Sequence, residues 1–146
     1  MLSLFRTFRF SVVFVMALAL CRLISPGGIA LAADIKVNLS GTEVVPAVTT
    51  SASGSGTITV GDDRSVSGSV TTTGVVATAA HIHMAAAGQN GPVAIPLTKS
   101  GDNTWAVPAG AKLTDPQYDA YKAGNLYVNV HSAAHPGGEI RGQLKP

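Results

Sequence analysis

The four histidines of the chain fall in two short clusters, His81-Ile82-His83 and His131-Ser132-Ala133-Ala134-His135. Side chains of an extended strand alternate between its two faces, so a His-x-His triplet in a strand turns both imidazoles to one side. The segment Asn125–His131 alternates in the same way, with Tyr127, Asn129 and His131 on one face and Leu126, Val128 and Val130 on the other. The apolar set marks the core side and directs His131 outward, as Ile82 directs His81 and His83. If the two strands share a sheet or meet at one rim, three neutral imidazoles converge. That donor set suits copper or zinc, with nitrogen–metal bonds of about 2.0–2.1 Å for zinc. A His-x-His pair by itself serves equally well as ordinary hydrogen-bonding surface, and the third histidine is what makes a metal site a competing reading.

His131 and His135 stand four residues apart, the spacing of zinc proteases that carry both ligands on a helix. Those enzymes need a glutamate directly after the first histidine, where Ser132 stands, and Pro136-Gly137-Gly138 ends any helix. His135 is therefore a fourth candidate ligand from a loop, or an exposed side chain. Asn129, Glu139 and Arg141 form a candidate polar network around the site. Glu139 and Arg141 lie two apart on the last strand and share a face, which predicts an ion pair, with a carboxylate–histidine bond as the alternative. Met84 follows His83 and so faces the core. No G-x-S-x-G elbow, phosphate-binding loop or dinucleotide fingerprint occurs, and the acids are too scattered to argue a carboxylate pair.

The elements that must hold these residues read as all-β. Candidate strands are Ile35–Ser40, Gly56–Val60, Ser65–Thr73, Ala79–Met84, Val93–Leu97, Thr104–Val107, Asn125–His131 and Glu139–Leu144. Gly61-Asp62-Asp63-Arg64 is turn chemistry between two alternating runs and predicts a hairpin. Thr114-Asp115-Pro116-Gln117 opens a short helix that Gly124 closes. The expected fold is an antiparallel β-sandwich or Greek-key-like barrel of about eight short strands with one short helix.

Residues 1–33 read as a signal peptide: Arg6 and Arg9, an apolar run from Phe10 to Leu20, and an Ala30-Leu31-Ala32 cleavage motif. The run is shorter than the roughly 20 residues a spanning helix needs. An uncleaved anchor is the competing reading. Lipidation at Cys21 is disfavoured by Leu20, because that position calls for a small residue. Removal of the segment leaves one domain, 34–146, with no cysteine and therefore no disulfide. Arg6, Arg9 and Arg22 leave with it, so the ten basic residues fall to seven against eight acidic ones, a net charge of −1 with neutral histidines. No basic run argues for nucleic acid, and no membrane span is expected in the mature chain. The expected location is the periplasm, the cell surface or the extracellular medium.

Four blocks are similar to a known family. They are Gly41-Thr42-Glu43-Val44-Val45-Pro46-Ala47-Val48, Ala80-His81-Ile82-His83, Gly88-Gln89-Asn90-Gly91-Pro92-Val93, and Tyr127 through His131 continuing into Pro136-Gly137-Gly138-Glu139-Ile140-Arg141-Gly142-Gln143-Leu144. In order and over essentially the whole mature chain, they resemble the CHRD domain of chordin and of many bacterial secreted proteins. The resemblance implies an extracytoplasmic all-β domain without an established enzyme activity. It puts His81, His83 and His131 at motif positions, and His135 where asparagine is more common. Val45 replaces the first proline of the usual Glu-Val-Pro-Pro segment.

Three functions follow as expectations. The first is an exported protein that binds one copper or zinc ion through the histidine cluster. The second is a non-catalytic structural or protein-interaction module whose histidines serve the fold. The third is a copper redox enzyme resembling superoxide dismutase, which needs more ligands than four histidines supply. The partners are accordingly a metal ion, another protein, or both.

Overall fold

The computed structural model describes residues 32–146; the signal segment expected over 1–33 lies, through residue 31, outside the described residues. The strands are β1 (Ala33–Ser40), β2 (Ser53–Val60), β3 (Val66–Thr73), β4 (Ala77–Met84), β5 (Val93–Pro96), β6 (Thr98–Lys99), β7 (Thr104–Ala106), β8 (Leu126–Ser132) and β9 (Ile140–Leu144). The helix α1 (Asp115–Lys122) joins β7 to β8. All eight expected strands form. Three extend further toward the N-terminus than expected, since Ala33 pairs with Val60, Ser53 with Ser40 and Ala77 with Ser132.

Local chemistry explains the elements. In β1, Ile35, Val37 and Leu39 are buried while Asp34, Lys36 and Asn38 are exposed. The β2–β3 hairpin turns where Gly61 N–H donates to Ser65 O, and Arg64 takes φ +68. Asp63 Oδ1 accepts from both the backbone and the hydroxyl of Ser65. Helix α1 opens with a reciprocal cap: Gln117 N–H donates to Thr114 Oγ1 and Thr114 N–H donates to Gln117 Oε1. Gly124, at φ +72, ends it by donating to Tyr121 O.

The nine strands make one antiparallel sheet in the order β5-β4-β8-β9-β1-β2-β3-β7-β6. Its two edge strands are consecutive in the chain, with Leu97 alone between them. The sheet must therefore curl until its edges meet, and it forms a nearly closed barrel rather than two stacked sheets. Leu97 makes that seam: its N–H donates to Ala80 O of β4, while the next residue, Thr98, pairs with Ala106 of β7. The interior is filled by Val37, Leu39, Ile58, Val70, Ile82, Val128, Val130, Ile140 and their neighbours, and Trp105 and Tyr121 join the same cluster. The ninth strand, β6, was not expected; two exposed residues carry no alternation to read.

Strands β4, β8 and β9 lie side by side, and their outward face carries the candidate site. His81 stands opposite Asn129, His83 opposite Tyr127, and Ala79 opposite His131. On the far side, Asn129 stands opposite Arg141. The alternation assigns the faces as expected, but the outward one is not wet. Tyr127 and Arg141 are each 1 % exposed, and Asn129 is buried too.

Candidate metal centre

The segment between β4 and β5 folds over that outward face and accounts for the burial. Arg141 donates to the carbonyls of Gln89 (2.7 Å) and Ala86 (3.2 Å), and Gln143 donates to the carbonyl of Ala85 (3.0 Å). The Arg141 guanidinium lies 3.5 Å from the centre of the Tyr127 ring. The opposite face of Tyr127 stacks on His83, with ring centres 5.0 Å apart and planes 9° apart. Gly91 closes the arrangement. Its N–H donates to the Tyr127 hydroxyl (3.2 Å) and its carbonyl accepts from His83 Nδ1 (2.9 Å). A side chain at Gly91 would collide with the Met84 carbonyl, so the loop seats only a glycine here.

These contacts fix the imidazole nitrogens. A carbonyl oxygen only accepts, so the nitrogen facing Gly91 O must be protonated and His83 keeps its lone pair on Nε2. His83 Nε2 is buried and has no hydrogen-bond partner. His131 is set the same way, because its Nδ1 donates to the Pro136 carbonyl (2.9 Å) and its Nε2 is left basic. His81 Nδ1 lies 3.1 Å from His131 Nε2. One ligand atom from each of His81, His83 and His131 falls within 4.8 Å of the other two. Nitrogens around a tetrahedral zinc ion lie about 3.3 Å apart for bonds of this length. The His81–His131 pair already meets that spacing, and the third needs a modest approach. The three histidines could hold one metal ion.

The electrostatics suit neutral ligands. Burial lowers the His81 pKa, and the neighbouring His131 and His83 lower it further. Burial also lowers that of His83, against the opposing effect of its bond to Gly91. Both rings therefore stay unprotonated, and able to bind a cation, at a pH where free imidazole is charged.

His135 does not join the group. Its backbone N–H donates to Ser132 Oγ, its carbonyl accepts from Gly138 N–H, and its side chain lines an apolar groove with Val44, Val45, Pro46 and Pro136. The tight turn that lets Pro136 O reach His131 carries His135 away from the cluster. The expected Glu139–Arg141 ion pair also does not form, because the two side chains have different surroundings. Arg141 is held under the β4–β5 loop, whereas Glu139 precedes β9 and accepts from the Thr50 hydroxyl (2.8 Å). The Ser132 hydroxyl, and after it Thr50, hold the Glu139 carboxyl below its usual range. Asn129 belongs to the support: its Nδ2 donates to Gly137 O (3.1 Å), and Gly138 packs so closely on the amide that no side chain fits there.

Sequence reasoning missed the anchors, which are the carbonyls of Gly91 and Pro136 and the Arg141–Tyr127–His83 stack. The shared face of Tyr127 and Arg141 was visible in the alternation. The carbonyls had no signal beyond the glycines near them.

Fold and site together define an all-β barrel protein with a three-histidine cluster on its outer wall. The chain belongs to the CHRD domain family, whose description matches residues 35–144. Searches of curated proteins and of solved structures return no match. Among the described residues, no helix is long and apolar enough to cross a membrane.

Proposed function

We propose that this CHRD domain binds a single transition-metal ion, copper or zinc, through His81, His83 and His131. The observation that carries the reading is the His83 ring, buried with Nδ1 committed to Gly91 O and Nε2 unpartnered. A buried acceptor with no donor is costly unless something satisfies it, and a cation among the three rings does so. Nε2 of His83, Nε2 of His131 and Nδ1 of His81 would hold it, the last once the proton it donates to His131 has moved to Nε2 of His81. Binding, storage or delivery of the ion requires nothing further from the chain. The N-terminal signal pattern supports export to the periplasm, the cell surface or the medium.

The test is titration of the purified protein with Cu²⁺ and Zn²⁺, beside a variant with His81, His83 and His131 all changed to alanine. One site per chain, absent from the variant, is the expected result. Binding no tighter than millimolar in the native chain would sink the proposal.

The direct His81–His131 hydrogen bond favours a second reading, in which the histidines brace the fold of an interaction module. That reading requires His81→Ala to lower thermal stability in metal-free buffer. A variant as stable as the native chain there removes it.

A further inference from the structure

The three ligands are neutral, and the group of ligand atoms contains no carboxylate among the described residues. A divalent ion held there keeps its full double charge. Its surroundings add to this charge. Arg141, on the same outward face, is almost wholly buried and donates to two carbonyls and to the Gln143 amide oxygen, with no acid among these partners. Across β9 the same side of the sheet continues into a groove of about 310 Å³ that carries Lys36 and Lys145 against the single acid Glu43. Glu139, the acid nearest in sequence to the cluster, is bound to Thr50.

The site is also open on one side. His83 is buried, but His81 and His131 are only half-buried, so the mouth of the cluster lies between them and faces solvent. Three nitrogens would leave a tetrahedral ion one position short, and the solvent-facing side of the cluster leaves room for it. A partly desolvated double charge calls for a compensating negative charge, and the ligand group supplies none; Glu43, the acid of the groove, acts on Arg141 instead. A surface lined with cations also raises the local concentration of anions.

We propose that the open position takes a small anion, bonded directly to the metal ion and entering between His81 and His131. The inference rests on the metal reading, and the experiment separates the two. Copper is loaded first and its stoichiometry measured, and azide is then titrated while the copper absorption and paramagnetic resonance spectra are followed. A saturable spectral change at millimolar azide or below, with copper retained, is the expected result. Copper bound one to one with spectra indifferent to azide overturns the anion site and leaves the metal site standing; failure to load copper instead defeats the metal reading.

The charge argument has its own arm. Ala79 lies two residues before His81 and opposite His131, at the half-buried rim. Ala79→Asp supplies the acid that the site lacks, and Ala79→Asn is its uncharged counterpart. Azide affinity falls about tenfold in the aspartate variant relative to the asparagine variant. Equal azide affinities in two variants that both bind copper overturn the role of charge compensation.

Discussion

Tyr127 is the residue on which the site turns. One face of its ring supports His83, the other carries the Arg141 guanidinium, and its hydroxyl receives Gly91 N–H. Tyr127→Phe keeps the stack and removes the acceptor. Denaturant unfolding should show a loss of about 1 kcal/mol, the usual worth of one such bond. Copper affinity should fall as well, because Gly91 also orients His83. A variant unchanged in both respects would mean that the loop holds Gly91 without help. The histidines give a pH prediction of definite sign. The pKa values of His81 and His83 lie below the ordinary 6.5 in the folded chain. As pH falls, the unfolded chain takes up these protons first. The stability of the metal-free protein is therefore complete above about pH 6.5 and drains away as pH falls toward the lowered folded values. Unfolding midpoints across that range, native beside His83→Asn, measure it. The native chain should lose stability more steeply than the variant, and parallel curves would refute the assignment.

At the scale of elements, the sequence was legible where a local rule was at work. Ile35, Val37 and Leu39 announce β1 by alternation, and Thr114, Gln117 and Gly124 announce α1 by its caps. Thr114→Ala removes the acceptor for Gln117 N–H and should cost about 1 kcal/mol in thermal or denaturant unfolding. An unchanged midpoint would show that packing of Tyr121 alone suffices to hold the helix. What stayed illegible depends on contacts between distant segments. Nothing near Arg141 in sequence states that it will bond Ala86 and Gln89, some fifty residues away. It therefore looked like the partner of Glu139, its neighbour two residues off. His135 shared its cluster with His131 in sequence, yet the turn that anchors one ring removes the other. The three histidines that do meet were readable because strand alternation is local and only the neighbourhood of β4 and β8 had to be assumed.

For the whole molecule, the seam at Leu97 decides the architecture. The residue is buried, its N–H bonds Ala80 O of β4, and the chain passes straight on into β6, which pairs with β7. Leu97→Ala should cost about 3 kcal/mol from lost burial and the void left behind. Leu97→Pro, which also deletes the bond to Ala80 O, should cost more and should raise hydrogen exchange in β4 and β7 together. Faster exchange confined to β5 would mean that the barrel stays shut without the seam. Neither edge strand could be recognised as such from sequence, because whether a sheet closes is a property of all its strands and no single segment encodes it. The pairing of β1 with β9 has a kinetic corollary. The first and last strands of the domain are neighbours, so the longest loop in the chain must be closed before the ring is complete. Such topologies fold slowly, because the entropy of closure is lost before the distant contacts form. The ring is completed only once its final strand is present.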